Sequence, residues 1–251
     1  MMRLAFRPVL AAVTALALLL PFGPRAAVAA EFTAAQRAEI VAIMRDALKQ
    51  DPSILREAVL ALQEDDATRS QAASRAALAA AGDSLVAPGD PVGGNPNGDV
   101  TIVEFFDTRC PYCRKLEPVM ESFLQKDRNV RLVYKDLPIL GPPSVIGSKA
   151  LLAAEKQGAY EKLREAVMQM PPDTTKAMIQ QAATRLGLDW PRLERDMNDP
   201  AVQQRLDANL KLARTLGIQG TPALVVGKEI IPGAVDLPEL TKAVAAARQA
   251  G

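Results

Sequence analysis

The sequence predicts an α/β core with a helical domain inserted between its two halves, and three observations support this fold class. The segments "VTIVEFF" and "VRLVYKDLP" have the apolar, β-branched composition of strands, and the stretch between them has helical spacing, as in a strand–helix–strand unit. A long helical region follows, from about residue 145 to about residue 216. The chain then returns to two strand-like segments, "TPALVVG" and "EIIPG", before a last helix.

Residues 1–30 have the layout of a secretory signal peptide. Arg3 and Arg7 precede an apolar run that ends at Leu20, and small residues follow up to Ala30. The run is shorter than the roughly 20 residues that span a bilayer, so an uncleaved membrane anchor is the less favoured alternative. We therefore expect a mature chain that is exported to the periplasm, an oxidising compartment.

Removal of this segment changes the charge balance of the chain. The whole sequence has 30 basic and 29 acidic residues, and residues 1–30 contain three arginines and no acid. The mature chain would then carry 27 basic and 29 acidic residues, a net charge of −2. This balance gives no basis for a nucleic-acid partner or for binding to an anionic membrane surface.

Residues 31–82 form a predicted N-terminal helical segment. Thr33 with Gln36 has the spacing of a capping box, and Asp51 followed by proline is typical of the start of a second helix, which would end at Gly82. Both helices carry apolar residues at helical spacing. Two thin helices bury too little surface to be stable alone, so we expect them to pack either on the rest of the chain or on other copies of themselves.

Residues 83–251 form the predicted main domain, with its helical insertion at about 145–216. A turn-rich connector at 87–99 precedes the first long strand. Leu116, Met120 and Leu124 give the helix after this strand its apolar side. Proline and aspartate pairs divide the insertion into several helices, and the final helix is predicted at about 237–249.

The chain has two cysteines, Cys110 and Cys113, and no histidine. A structural zinc site needs four ligands, and haem attachment needs a histidine after the second cysteine, so both are excluded. A structural disulfide is the alternative, but such a short loop would add little stability. We interpret the pair as redox-active, because the first thiol of a Cys-x-x-Cys motif at a helix N-terminus has a lowered pKa. No cofactor or metal is predicted.

The spacing assigns a role to each residue of the motif. Cys110 is the predicted nucleophile, and Cys113, one helical turn further on, is the resolving thiol that attacks a mixed disulfide. Pro111 suits the first helical position, where its missing N–H is not needed. Tyr112 is neutral and adds no positive charge beside the thiolate.

The segments "VEFFDTRCPYC", "YKDLPILGPPS" and "GIQGTPALVVG" resemble the DsbA-type branch of the thioredoxin superfamily, and with the N-terminal helices the chain is most similar to ScsC-type proteins. The resemblance implies a thioredoxin fold with a helical insertion. It also implies that Thr221 and Pro222 form a cis-proline loop beside the cysteines, where the backbone of Thr221 pairs with an extended substrate. Tyr112 departs from the DsbA pattern, which has a histidine there.

Glu104 lies in a predicted buried strand, six residues before Cys110. A buried carboxylate is costly unless it is paired or protonated, so we expect Glu104 to have a partner and to accept the proton of Cys113. The alternative is an acid that points outward at a strand end. Lys135, in "LVYKD", is the predicted partner on the neighbouring strand.

These features predict an exported thiol–disulfide oxidoreductase that acts on cysteine-containing exported proteins, as a disulfide isomerase or reductase. A dithiol oxidase is the nearest alternative. A copper(I) carrier that uses the two thiolates, or a redox-inert chaperone, would belong to a different class. The resemblance further implies a membrane redox partner that resets the cysteines. It also implies a homo-oligomer assembled by residues 31–82, and we expect a trimer because some members of the group are trimeric.

Overall fold

A computed structural model describes residues 32–171 and 173–250 of the 251-residue chain. The predicted signal peptide lies outside the described residues. The chain divides into two compact units between Val59 and Leu60. Across 32–171 and 173–250, no helix combines the length and the apolarity needed to cross a membrane.

The first unit contains helix α1 (Ala34–Gln50) and the beginning of helix α2 (Ser53–Ala81). The predicted capping box is confirmed: the Thr33 hydroxyl accepts from the Gln36 N–H at 3.2 Å, and the Gln36 side chain accepts from the Thr33 N–H at 2.9 Å. No residue of α1 is buried. Large apolar side chains of this unit are exposed at Ile40, Val41, Ile43, Met44, Leu48, Ile54, Leu55 and Val59.

The second unit is built on a five-stranded mixed sheet in the order β1–β3–β2–β4–β5. The central strands β2 (Val100–Phe106) and β3 (Val130–Asp136) are parallel, as the strand–helix–strand pattern predicts. Strand β4 (Ala223–Val226) pairs antiparallel with β2, and β5 (Glu229–Pro232) forms the far edge. Strand β1 (Val92–Gly94) lies in the segment that the sequence predicts to be a connector. This strand was not predicted because its glycine-rich sequence has no strand-like pattern.

Helix α3 (Pro111–Lys126) joins β2 to β3, and helix α9 (Leu237–Ala250) ends the described chain. Between β3 and β4 lie the inserted helices α4 (Pro142–Glu155), α5 (Tyr160–Met168), α6 (Lys176–Arg185), α7 (Trp190–Met197) and α8 (Pro200–Thr215). The predicted α/β core with a helical insertion is therefore confirmed.

Alternating residues of β2 reach the two faces of the sheet. Ile102 and Phe106 belong to the larger apolar cluster, which includes α3 and several inserted helices. Val103 and Phe105 belong to a second cluster with residues of α8 and with Leu78, near the C-terminal end of α2. Both faces of the central strands are thus covered, which explains their continuous apolar character.

Candidate active site

Cys110 lies at the N-terminus of α3. It is the N-cap residue, with an extended backbone (φ −69°, ψ 120°), and Pro111 occupies the first helical position. The Cys110 thiol donates a hydrogen bond to the Thr221 carbonyl oxygen at 3.1 Å. The residue lies at a helix terminus whose first N–H groups have no partner within the helix, and only 4% of its surface is exposed.

Cys113 lies one turn further along α3 and is completely buried. Both cysteines are free thiols. Burial raises the pKa of Cys113 well above its ordinary value, and negative charge on Cys110 and Glu104 raises it further, while hydrogen bonds with the Asp107 backbone and the Thr221 side chain oppose the shift. Cys113 is therefore a protonated thiol near neutral pH and must lose its proton before it can act as a nucleophile.

The loop that carries Thr221 and Pro222 lies against the Cys110 sulfur. The Thr221–Pro222 peptide bond is cis, as the resemblance implies. Pro222 is buried and Thr221 is partly exposed. The Pro222 carbonyl accepts from the Gly233 N–H at 2.8 Å, which ties the loop to the end of β5. Three of the predicted site residues, Cys110, Thr221 and Pro222, therefore lie together.

Tyr112 is the exposed residue of the motif. Its side chain follows Pro111 on the first turn of α3, and 62% of its surface is accessible. It contributes a neutral phenol to the surface next to Cys110 rather than a cation.

Asp107 orders the loop that precedes Cys110, and sequence reasoning did not identify it. One carboxylate oxygen accepts from the Arg109 N–H at 2.8 Å, and the other accepts from the N–H groups of Ile139 at 2.8 Å and Leu140 at 3.0 Å. The loop after β3 is thereby fixed against the cysteine loop. The available signal was an aspartate directly after a buried strand, a position where its side chain commonly caps a turn.

Glu104 is buried, and its partner is Arg164 rather than Lys135. Arg164 Nη2 lies 3.1 Å from Glu104 Oε2, and Arg164 Nη1 also binds the carboxylate of Glu117 on α3. The predicted pairing with Lys135 is wrong because Glu104 is in register with Tyr134, whereas Lys135 is in register with Phe105 on the opposite face of the sheet.

Two aromatic rings hold the Arg164 guanidinium in place. Its central carbon lies 4.6 Å from the centre of the Phe106 ring and 4.4 Å from that of the Tyr134 ring. Only 3% of Arg164 is exposed. Contact with ring faces and with two carboxylates offsets the desolvation of the buried charge.

Burial raises the pKa of Glu104 from its usual acidic range to about 7. The Arg164 charge acts in the opposite direction, and the neighbouring Glu117 carboxylate adds to the rise. A carboxyl group with this pKa changes protonation near neutral pH, and it interacts electrostatically with Cys113. Glu104 is therefore a buried carboxyl group that can gain or lose a proton near neutral pH and whose charge acts on the buried thiol.

Lys135 forms a separate buried ion pair. Its ammonium lies 2.6 Å from one Asp90 oxygen, and Arg205 of α8 lies 2.6 Å from the other. Lys135 and Asp90 are each 2% exposed in their side chains. This cluster joins the segment before β1 to β3 and α8, and it lies apart from the acid next to Cys113.

A second buried acid with a raised pKa, Asp136, lies at the C-terminal end of β3. Its carboxylate accepts from the Tyr160 hydroxyl at 2.7 Å, and burial raises its pKa to about 7. The Arg164 charge partly opposes this rise. Arg164 therefore influences Asp136 as well as its direct partners Glu104 and Glu117.

Comparisons with known proteins agree with this geometry. The sequence profile of the DSBA-like thioredoxin domain matches residues 101–245, and that of the N-terminal domain of copper resistance protein ScsC matches residues 36–68. A solved thioredoxin-like oxidoreductase from Silicibacter pomeroyi is 43% identical, with a TM-score of 0.66 over 68% of this chain and 99% of that chain. The thioredoxin-like fold is thereby confirmed.

Two further relatives define the extent of the similarity. ScsC from Proteus mirabilis, solved in a transitional conformation, is 32% identical, with a TM-score of 0.64 over 88% of this chain and 98% of that chain. The curated Na⁺/H⁺ antiporter NhaA 3 from Salinispora tropica is 29% identical over 169 residues, which is 65% of this chain. The chain spans 26% of the length of that antiporter.

Proposed function

Because the chain belongs to the family of DSBA-like thioredoxin domains, we propose that it is an exported thiol–disulfide oxidoreductase that acts on protein disulfides through Cys110 and Cys113. One observation carries this proposal: Cys110 caps α3 within 3.1 Å of the Thr221 carbonyl oxygen, while Cys113 is buried one turn away. The first sulfur lies at a helix terminus, which favours a thiolate, and both cysteines are buried, the second completely.

The reaction begins when the Cys110 thiolate attacks one sulfur of a client disulfide. A bond forms between Cys110 and that sulfur, the client S–S bond breaks, and the other client sulfur leaves as a thiolate that takes up a proton. No net oxidation has occurred at this stage, because one disulfide has been exchanged for a mixed disulfide.

The mixed disulfide has two outcomes. In isomerisation, another client thiolate attacks the client sulfur, forms a new client disulfide and releases Cys110 as a thiolate. In reduction, Cys113 attacks the sulfur of Cys110, and the client leaves as a thiol. The client has then gained two electrons, which come from oxidation of Cys110 and Cys113 to a disulfide. The second route requires that Cys113 lose its proton.

Glu104 is the proposed acceptor of that proton. Cys113 is too buried to ionise readily, and Glu104 is a buried acid with a pKa of about 7 that acts on it electrostatically. Arg164 stabilises the ionised form of Glu104 at 3.1 Å. Near neutral pH, a substantial fraction of Glu104 is therefore ionised and able to accept the proton.

The proposed direction of the reaction is isomerisation or reduction. Tyr112 places no cation beside Cys110, so the thiolate and hence the reduced state gain less stabilisation than in proteins with a histidine there. An enzyme that isomerises disulfides must be reduced for part of its working cycle. We propose that a membrane redox partner in the periplasm restores this state, and that residues 1–30 direct the export.

The N-terminal helices are proposed to form a homo-oligomer, and the resemblance to ScsC-type proteins favours a trimer. The match to the N-terminal domain of ScsC supports this assignment, as do the exposed apolar side chains of α1. An apolar helix face of this kind is usually covered by another helix. Several active sites around one client would raise the local concentration of reactive thiols.

Refolding of a scrambled protein with several disulfides tests the function. The reduced mature chain should restore native pairing, and Cys110→Ser should abolish this activity. Cys113→Ser should accumulate mixed disulfides and lose reductase activity while retaining part of the isomerase activity, because client thiols can still resolve the intermediate. Full activity of Cys110→Ser would refute the mechanism, and rapid oxidation of reduced clients without reshuffling would favour the dithiol oxidase.

A copper(I) carrier is the second candidate, and the name of the family that matches residues 36–68 is the observation that favours it. Two thiolates are suitable ligands for copper(I). Metal content after purification in reducing buffer distinguishes the two functions: a carrier would bind one copper(I) that Cys110→Ser releases. The oxidoreductase would retain its activity in the absence of copper.

A further inference from the structure

Arg114 follows Cys113 on α3, and backbone carbonyl groups hold its guanidinium. Nε and Nη2 donate to the Thr108 carbonyl oxygen at 3.2 and 2.8 Å, and Nη1 donates to the carbonyl oxygen of Met170. Thr108 lies two residues before Cys110, and Met170 lies two residues after the end of α5 in the helical insertion. The guanidinium therefore bridges the cysteine loop and the insertion, and these hydrogen bonds fix its position beside the redox site.

We propose that Arg114 supplies the positive charge that stabilises the reduced active site, and that it thereby raises the redox potential of the Cys110–Cys113 pair. The proposal rests on the proposed function, because it concerns the same two cysteines. It assigns the stabilising charge to a residue one position after the motif, since Tyr112 within the motif is neutral.

Arg114 differs from two other cations of this domain in having no carboxylate partner. Arg164 and Lys135 each form ion pairs with carboxylates. Within the part of the chain that the structure describes, no carboxylate lies within ion-pair distance of Arg114, and its guanidinium donates to neutral carbonyl groups. Carbonyl oxygens anchor a guanidinium without cancelling its net charge. That charge can therefore act on an anion that forms nearby.

The charge of Arg114 interacts with both cysteines. Partial burial lowers the pKa of Arg114, and the charge of Arg109 lowers it further. Negative charge on Asp107 and on the two cysteines acts in the opposite direction and raises it. An attraction between two charges favours the ionised form of each, so Arg114 favours a thiolate to the same extent that the thiolate favours the guanidinium. Because arginine is not deprotonated in proteins, this charge is permanent.

The geometry of α3 directs this effect to Cys110. The Arg114 N–H donates to the Cys110 carbonyl oxygen at 3.2 Å, so the two residues are one helical turn apart. Side chains at this spacing lie on the same side of a helix. Lys115, the next residue, is exposed and lies about 100° further round the helix. It carries the same charge and is therefore a matched control.

Only the reduced state gains from this charge. When two glutathione thiols reduce the Cys110–Cys113 disulfide, that S–S bond breaks, the S–S bond of glutathione disulfide forms, and two electrons pass to the protein. One proton from glutathione remains on Cys113, and the other is released to solvent if Cys110 stays ionised. The disulfide carries no charge, whereas the thiolate does. Arg114 therefore shifts this equilibrium toward the reduced protein.

Charge-removing substitutions at adjacent positions test the proposal by equilibration with glutathione at pH 7. Arg114→Gln should lower the equilibrium constant for reduction about tenfold, which corresponds to about 30 mV. Lys115→Gln should change it less than about twofold, because solvent and salt screen an exposed charge. Equal constants in these two variants would overturn the proposal.

Arg114→Lys separates the charge from the hydrogen bonds. Lysine keeps the charge but cannot reproduce the two hydrogen bonds to the Thr108 carbonyl group. This variant should retain most of the equilibrium constant. A loss as large as that of Arg114→Gln would show that the hydrogen bonds, and not the charge, set the potential, and would refute the proposal.

The pH dependence of Cys110 alkylation supplies a second measurement, made in the Cys113→Ser background so that only Cys110 reacts. Arg114→Gln should move the midpoint upward by about one pH unit, the same tenfold effect expressed on the thiolate, and Lys115→Gln should not move it. A merely structural role of Arg114 would leave the midpoint unchanged, and this result would refute the inference alone. Failure of the wild-type cysteines to exchange with glutathione would instead refute the proposed function.

Discussion

Arg164 Nη2 lies 3.1 Å from Glu104 Oε2, and the two side chains are almost completely buried. Glu104 belongs to the central strand of the sheet, whereas Arg164 belongs to α5 in the inserted helices. The helical insertion therefore supplies the positive charge that opposes the effect of burial on the acid next to Cys113. This relationship makes the proton affinity of a core residue depend on a residue of the insertion.

Substitution of Arg164 or Glu117 should shift the pH dependence of the Cys113 step in opposite directions. Glu104 has a pKa of about 7, lowered by Arg164 and raised by Glu117. Since only the ionised form accepts a proton, the rate should rise with pH through about 7. Arg164→Met should move the midpoint upward by about one pH unit, and Glu117→Gln should move it downward. The measurement is the rate of release of a small thiol from its mixed disulfide with Cys110, between pH 5 and pH 9.

Glu104→Gln is the control for this experiment. It should slow release of the thiol and remove the transition near pH 7, because the amide cannot accept the proton. If all four proteins had the same midpoint, Glu104 would not be the acceptor. If only Glu104→Gln differed from the wild type, Glu104 would act without help from Arg164.

Substitution of Lys135 or Asp90 should lower the stability of the protein without shifting the pH midpoint of the Cys113 step. Asp90→Asn leaves the buried Lys135 without an anion and should lower the free energy of unfolding by about 3–5 kcal/mol. Lys135→Met should have a smaller effect, because Asp90 keeps its pairing with Arg205 at 2.6 Å. Urea unfolding measures both changes. A midpoint shift in Lys135→Met as large as that of Arg164→Met would show that the two faces of the sheet are electrostatically coupled.

The contrast between Lys135 and Arg164 shows where sequence reasoning was sufficient and where it was not. The cysteine motif and the buried strand with Glu104 depend on local patterns, and each could be identified from a short segment. The cis-proline loop followed from the family resemblance rather than from the local pattern. The partner of Glu104 depends on strand register and on a helix 60 residues away, which local patterns do not specify. A signal existed in "YEKLREAVM": Arg164 follows Leu163 and precedes Val167 on the buried side of α5, where a surface arginine would not lie.

Introduction of a histidine at position 112 should make the protein more oxidising. Tyr112 of the wild type adds no cation beside Cys110, so we expect a standard potential between about −180 and −230 mV, below the roughly −120 mV of DsbA. In Tyr112→His, the partly exposed imidazolium would stabilise the thiolate and raise the potential by tens of millivolts. Glutathione equilibration measures both values, with Tyr112→Phe as the neutral control. A wild-type potential at or above −120 mV would show that other groups replace the missing charge.

Removal of the first unit should abolish formation of the oligomer and leave thiol–disulfide exchange intact. The deletion should stop at Val59 rather than at Gly82, because Leu78 and Ala81 of α2 are buried with residues of the sheet. A chain that starts at Leu60 should be a folded monomer that still exchanges small disulfides. Its activity on a scrambled protein should fall, because single active sites no longer surround one client.

Point substitutions in α1 test the same idea in the full mature chain. Met44 is 58% exposed on the apolar side of α1, and Ala42 is exposed on its opposite side. Met44→Lys should place a charge in the predicted helix–helix contact and dissociate the oligomer, whereas Ala42→Lys adds the same charge outside that contact and should leave the mass unchanged. Light scattering at micromolar concentration measures the mass. A monomeric wild type would refute the oligomer, and equal dissociation by both lysines would place the contact elsewhere on the helix.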